Sequence, residues 1–132
     1  MRRNNFSFNR RLLITLLLVS PFSFADWGDV YYCQMTNFVQ IREDGKTDTY
    51  PLERFKFTLD DMEMGAVLFG KGGYLGGEYI PVERDTWRPE VPSWAASDSQ
   101  SRLTFREGNL MYTDNFMDPD GVRVISANCD KF

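Results

Sequence analysis

Apolar and polar positions alternate along most of the chain after residue 30, with the period of a β-strand. From Tyr31 to Ile41 the odd positions Tyr31, Cys33, Met35, Val39 and Ile41 form one apolar face, with Gln34, Thr36, Gln40 and Arg42 between them. Asn37 interrupts that face and predicts a bulge. Asp44-Gly45 is a hairpin signal, and Lys46 to Tyr50 would return from it. Phe55, Phe57 and Leu59 alternate with Arg54, Lys56 and Thr58, which predicts a second half-buried strand. Short strands are expected again at Ala66 to Phe69 and Glu78 to Val82, separated by the glycine-rich stretch Gly70 to Gly77.

The segment from about 85 to 101 breaks the pattern. It carries Trp87, Arg88, Pro89, Pro92 and Trp94 and ends in a Ser/Asp/Gln tail, and it predicts a long irregular loop. Regularity resumes at Leu103 and Phe105. Glu107-Gly108 and Asp118-Pro119-Asp120-Gly121 read as turns. Leu110, Tyr112 and Phe116 share one face of the strand between them, and Ile125, Ala127 and Cys129 share a face of the last. Turn signals spaced roughly ten residues apart, with no helical periodicity, predict an all-β domain: a small antiparallel meander closing into a barrel or a sandwich.

The first 25 residues carry a different pattern. Arg2, Arg3, Arg10 and Arg11 precede the apolar run Leu12 to Val19, Pro21 breaks it, and Ser23-Phe24-Ala25 ends in small residues. That order is a signal peptide, with cleavage expected before Asp26. An apolar run rising ~1.5 Å per residue over so few residues does not cross a ~30 Å hydrocarbon core, so no stable membrane insertion is expected. Asn9-Arg10-Arg11-Leu12-Leu13 loosely suits twin-arginine export, but general secretion is the simpler route. The domain is therefore expected over 26–132, periplasmic or secreted.

Two cysteines then take on meaning. Cys33 and Cys129 lie near opposite ends of the exported part, where disulfides form, and are expected to bond to each other. A catalytic redox pair would usually be close in sequence, as in C-x-x-C.

Charge and composition narrow the chemistry. The 132 residues include 15 Lys and Arg, 19 Asp and Glu and no histidine. Without histidine there is no Ser-His-Asp or Cys-His catalysis and no histidine-ligated metal. All the acidic residues lie after residue 25, so losing four arginines leaves the domain strongly acidic. That excludes nucleic acid as a natural partner and makes a cationic partner electrostatically easier. Gly70-Lys71-Gly72 lacks the spacing and hydroxyl of a phosphate-binding loop. Asp118, Asp120 and Gly121 would sit at calcium-loop positions three, five and six, but Ala127 would stand where the bidentate glutamate belongs. No cofactor or metal is expected. The C-terminal Phe132 suits an outer-membrane barrel, but Ser126, Asn128 and Asp130 break the alternation a lipid-facing strand needs.

The layout resembles that of the periplasmic inhibitors of C-type lysozymes, small barrels with a cysteine near each end. Tyr31-Tyr32-Cys33 matches their early Y-x-C. Their S-G-x-x-Y motif corresponds to Leu75-Gly76-Gly77-Glu78-Tyr79, with Leu in place of Ser. Their W-x-K-G type segment corresponds to Trp87-Arg88-Pro89-Glu90, without Lys-Gly. The resemblance brings no contact residue onto this chain.

The expectation for function is a non-enzymatic binding or interaction module for a protein or small ligand. Its candidate contacts are Trp87, Arg88 and Trp94, with those tryptophans as core the competing reading. A calycin-like carrier would need a roomy apolar interior. A carboxylate-based hydrolase would need two converging acids from a set including Asp60, Glu78, Glu83 and Asp85.

Overall fold

The computed structural model describes residues 25–61, 65–115 and 121–132. The signal peptide expected at 1–25 lies outside them apart from Ala25, as do Phe116 and the Asp118-Pro119-Asp120 part of the expected turn.

All the regular structure among the described residues is β. The strands are β1 (Val30–Ile41), β2 (Thr47–Thr49), β3 (Arg54–Asp60), β4 (Ala66–Phe69), β5 (Tyr79–Arg88), β6 (Ser93–Ser97), β7 (Ser101–Arg106), β8 (Asn109–Asp114) and β9 (Val122–Lys131). Every pairing is antiparallel. From β3 to β9 each strand pairs with the next, and β9 pairs back onto β1. Eight strands thus close a barrel, and β2 is an extra strand beside the far half of β1. Cys33 and Cys129 are directly opposed in the closing ladder and form a disulfide, with Cα atoms 4.0 Å apart. A disulfide fits an oxidising environment outside the cytoplasm.

The alternation of β1 changes phase halfway. Tyr31, Cys33 and Met35 point inward, but beyond them Phe38 and Gln40 are buried and Ile41 is 48% exposed. The single apolar face expected through Val39 and Ile41 is therefore not formed. The cause is a bulge between Met35 and Asn37, where Thr36 is the extra residue against β9. Ser126 Oγ satisfies it, accepting from Asn37 Nδ2 at 2.9 Å and bonding Thr36 Oγ1 at 2.7 Å.

The segment at 85–101 is not a long loop. β5 runs on through Arg88 and β6 begins at Ser93, leaving a turn at 89–92 for the two prolines. The β5–β6 ladder is irregular between Glu83 and Arg88, which hid its strand pattern. There Thr86 Oγ1 donates to Glu83 O at 2.6 Å and accepts from Ala95 N–H at 2.8 Å. A side-chain hydroxyl thus replaces ladder bonds that a regular strand would make through its backbone.

Rings fill the interior. Phe105 stacks on Trp94 with centroids 5.0 Å apart, Tyr31 lies 5.0 Å from both Phe57 and Phe105, and Phe57 meets Trp94 edge-on. Leu59, Val67, Ile80, Leu103 and Ile125 complete the core.

Candidate functional site

The three candidate contact residues take three different positions. Trp94 is 2% exposed and belongs to the core, because β6 turns it inward against Phe57 and Phe105. That corrects its reading as a contact residue. Trp87 is half-buried and stacks on Trp27, 4.6 Å away and nearly parallel. Trp27 in turn lies so close over Gly65 that a Cβ there would fall 2.4 Å from its ring. This pair covers the end of the barrel where β1 begins. Ala25 is buried beside it, its N–H bonded to Pro89 O at 3.1 Å. Arg88 is exposed, but its guanidinium folds back onto Asp85 O and Trp87 O at 3.1 and 2.8 Å. The turn does not assemble these residues into one surface.

A groove on the outer wall does bring chemistry together. It spans β9, β1 and β3 and the loop after β4, and holds about 640 Å³. Period-two geometry turns Arg54 and Lys56 outward because Phe57 and Leu59 face the core. Cross-strand pairing sets Lys56 beside Tyr32 and Arg54 beside Gln34, and on the other side of β1 Asp130 flanks Tyr32 and Asn128 flanks Gln34. Arg54 Nε donates to Gln34 Oε1 at 2.9 Å. The rim is Gly70, Lys71 and Gly72.

Lys56 lies across the rim because residue 70 is glycine. A Cβ there would stand 2.8 Å from Lys56 Cγ and 2.9 Å from its Cε. The stem of the lysine is thereby laid on the backbone while its ammonium stays at the groove. Among the described residues, neither Lys56 nor Lys71 has an ion-pair partner. Three cations thus face the groove against one carboxylate, Asp130. Tyr32 adds a ring that is 50% exposed.

The rim is fixed from beneath. Glu53 Oε2 accepts the Tyr74 N–H at 2.9 Å, and Gly76 passes so near Gly72 that a Cβ would meet its carbonyl oxygen at 2.5 Å. Leu75 is buried in the core. Tyr74 Oη donates to Asp114 Oδ2, and Arg123 lies 3.6 Å from Oδ1 of the same carboxylate. Burial, then the bond to Asp114, pushes the Tyr74 phenol well above its usual range, against the opposing pull of Arg123. Asp114 is 2% exposed and is the buried carboxylate among the described residues.

No family model matches the chain, and neither a curated protein nor a solved structure matches it at a significant level. The site therefore rests on its own geometry. Arg54 and Lys56 were visible in the sequence only as a local pair of basic residues. Their spacing of two on a strand already put both on the outer face. Lys71 and Tyr32 were not singled out, because only the β3–β4 and β1–β3 registers carry them there.

Proposed function

We propose that the chain is a non-enzymatic binding module that works in the periplasm or as a secreted protein, with the groove over β9, β1 and β3 as its binding surface. The observation that carries this reading is the convergence of Arg54, Lys56 and Lys71 on a cavity with an exposed ring, on a chain that is otherwise acidic. Volumes of ~300–1,000 Å³ are usual for ligand sites. The ring-filled interior favours this reading over a carrier that stores a ligand inside the barrel. Overall charge points to a cationic partner, and the groove points the other way. The local sign governs contact, because exposed charges beyond ~8–10 Å are largely screened at physiological salt.

The test is capture from a native envelope fraction on immobilised protein. It is run beside the variant Arg54→Glu, Lys56→Glu, Lys71→Glu. Material retained by the unaltered protein and lost by the variant supports the reading. Equal retention, or none on either, overturns it.

A further inference from the structure

Resting on that reading of the groove, we infer that its ligand is a linear glycan bearing carboxylates on some of its sugar units. Along β1 the wall beneath the groove offers no free strand edge. Through Tyr32 to Gln34, β1 is paired to β3 on one side and to β9 on the other; β3 pairs in turn with β4 from Phe57 to Asp60, and just before that ladder Lys56 O accepts the Gly70 N–H at 2.9 Å. An acidic peptide therefore cannot add as a strand to β1, and loses there the main-chain hydrogen bonds that make strand addition productive. What the wall presents is side-chain chemistry.

That chemistry suits a sugar. The half-exposed Tyr32 ring offers an apolar face for the C–H surface of a pyranose. Asn128 offers an amide, which both donates and accepts, to hydroxyl groups, while the Gln34 amide is held by Arg54 Nε and by the carbonyls of Met35 and Glu53 and fixes the arginine in place. Arg54, Lys56 and Lys71 supply the countercharge for carboxylates. Asp130, beside Tyr32, accepts hydrogen bonds only, so it rewards a ligand with hydroxyl donors and repels one charged at every position.

The probe is a hexameric oligogalacturonate titrated into the disulfide-bonded protein by calorimetry and by amide NMR. Its controls are the methyl-esterified hexamer, which keeps the sugar and loses the charge, and a hexaglutamate peptide capped at both ends, which keeps the charge and loses the sugar. We expect the oligogalacturonate to shift resonances on β1, β3 and the Gly70–Gly72 rim and to weaken as salt rises. The methyl ester, and the protein variant Lys56→Ala, Lys71→Ala, should each lower affinity by about tenfold, the scale of a few exposed ion contacts. Tyr32→Ala should weaken the oligogalacturonate. Hexaglutamate binding as tightly as the oligogalacturonate, or shifts confined elsewhere on the barrel, overturns the inference. So does the absence of any binding. In those cases the envelope capture separates the two readings. If it still depends on the three cations, only the ligand class has failed; if it does not, the groove itself has.

Discussion

Cys33 and Cys129 stand opposite each other across the seam where the first long strand meets the last, and their bond locks the ladder that closes the barrel. The covalent link and the hydrogen-bonded closure coincide, so the same two strands are held twice. Breaking the bond leaves the seam to its hydrogen bonds and side-chain packing alone.

Reduction, or Cys33→Ser with Cys129→Ser, should lower stability by about 4–5 kcal/mol, the loop-closure entropy of a cross-link spanning on the order of 100 residues. Urea melts with and without reductant measure it. A loss under 1 kcal/mol would show that the seam holds without the bond.

Tyr31 presents the opposite case. Its hydroxyl is buried without a hydrogen-bond partner, at the cost of its desolvation. Tyr31→Phe should therefore stabilise the protein, by about 1 kcal/mol. Burial first, and the Asp29 carboxylate second, hold the phenol up to about 12, against an ordinary value near 10. The folded pKa is thus raised, so the contribution of this group to stability is intact below pH 10 and is lost as pH rises from 10 towards 12. Stability against pH for the two proteins should run parallel below pH 10, offset by that ~1 kcal/mol, and separate further above it, with the phenylalanine variant losing less.

Trp94→Ala should cost about 3–5 kcal/mol, as truncation of a core aromatic does. Trp87→Ala should cost less, and its partner Trp27 should account for part of the loss. A double-mutant cycle of Trp27 and Trp87 should give a coupling of about 0.5–1.5 kcal/mol. Equal losses for Trp94 and Trp87 would contradict the placement of the latter at the barrel end.

Tyr74→Phe removes the hydroxyl that donates to Asp114 and leaves that carboxylate oxygen buried without its donor. The expected loss is about 1–3 kcal/mol, the penalty for such an orphaned group. Because Tyr74 follows the groove rim, amide exchange at Lys71 and Gly72 should quicken in the same variant. Unchanged exchange there would separate the rim from the strut.

Much of the architecture could be read from the chain. Phe57 and Leu59, Leu103 and Phe105, and Ile125 with Ala127 all alternate cleanly and all face the core. The cysteine pair was legible from compartment and count. Elsewhere the pattern misled because a ladder is locally irregular. Thr86 kept β5 and β6 together where the ladder is irregular, and Thr36 shifted Phe38 into the core at the expense of Val39. The groove was the least legible part, since Lys71 joins Lys56 along it only through strand pairing, and Gly70 lets the Lys56 stem lie across the rim.

The seam that unites β1 with β9 also governs when folding can finish. A chain that emerges with its N-terminus first presents β1 long before its closing partner exists. Until residues 122–131 arrive, one long side of β1 stays bare, with its backbone groups open to any other strand. Non-local pairings of this kind fold slowly, because the entropy of bringing the ends together is spent before the contacts form. The growing chain therefore has no stable halfway barrel in which to wait. Its most aggregation-prone interval is the time between the appearance of its first strand and its last.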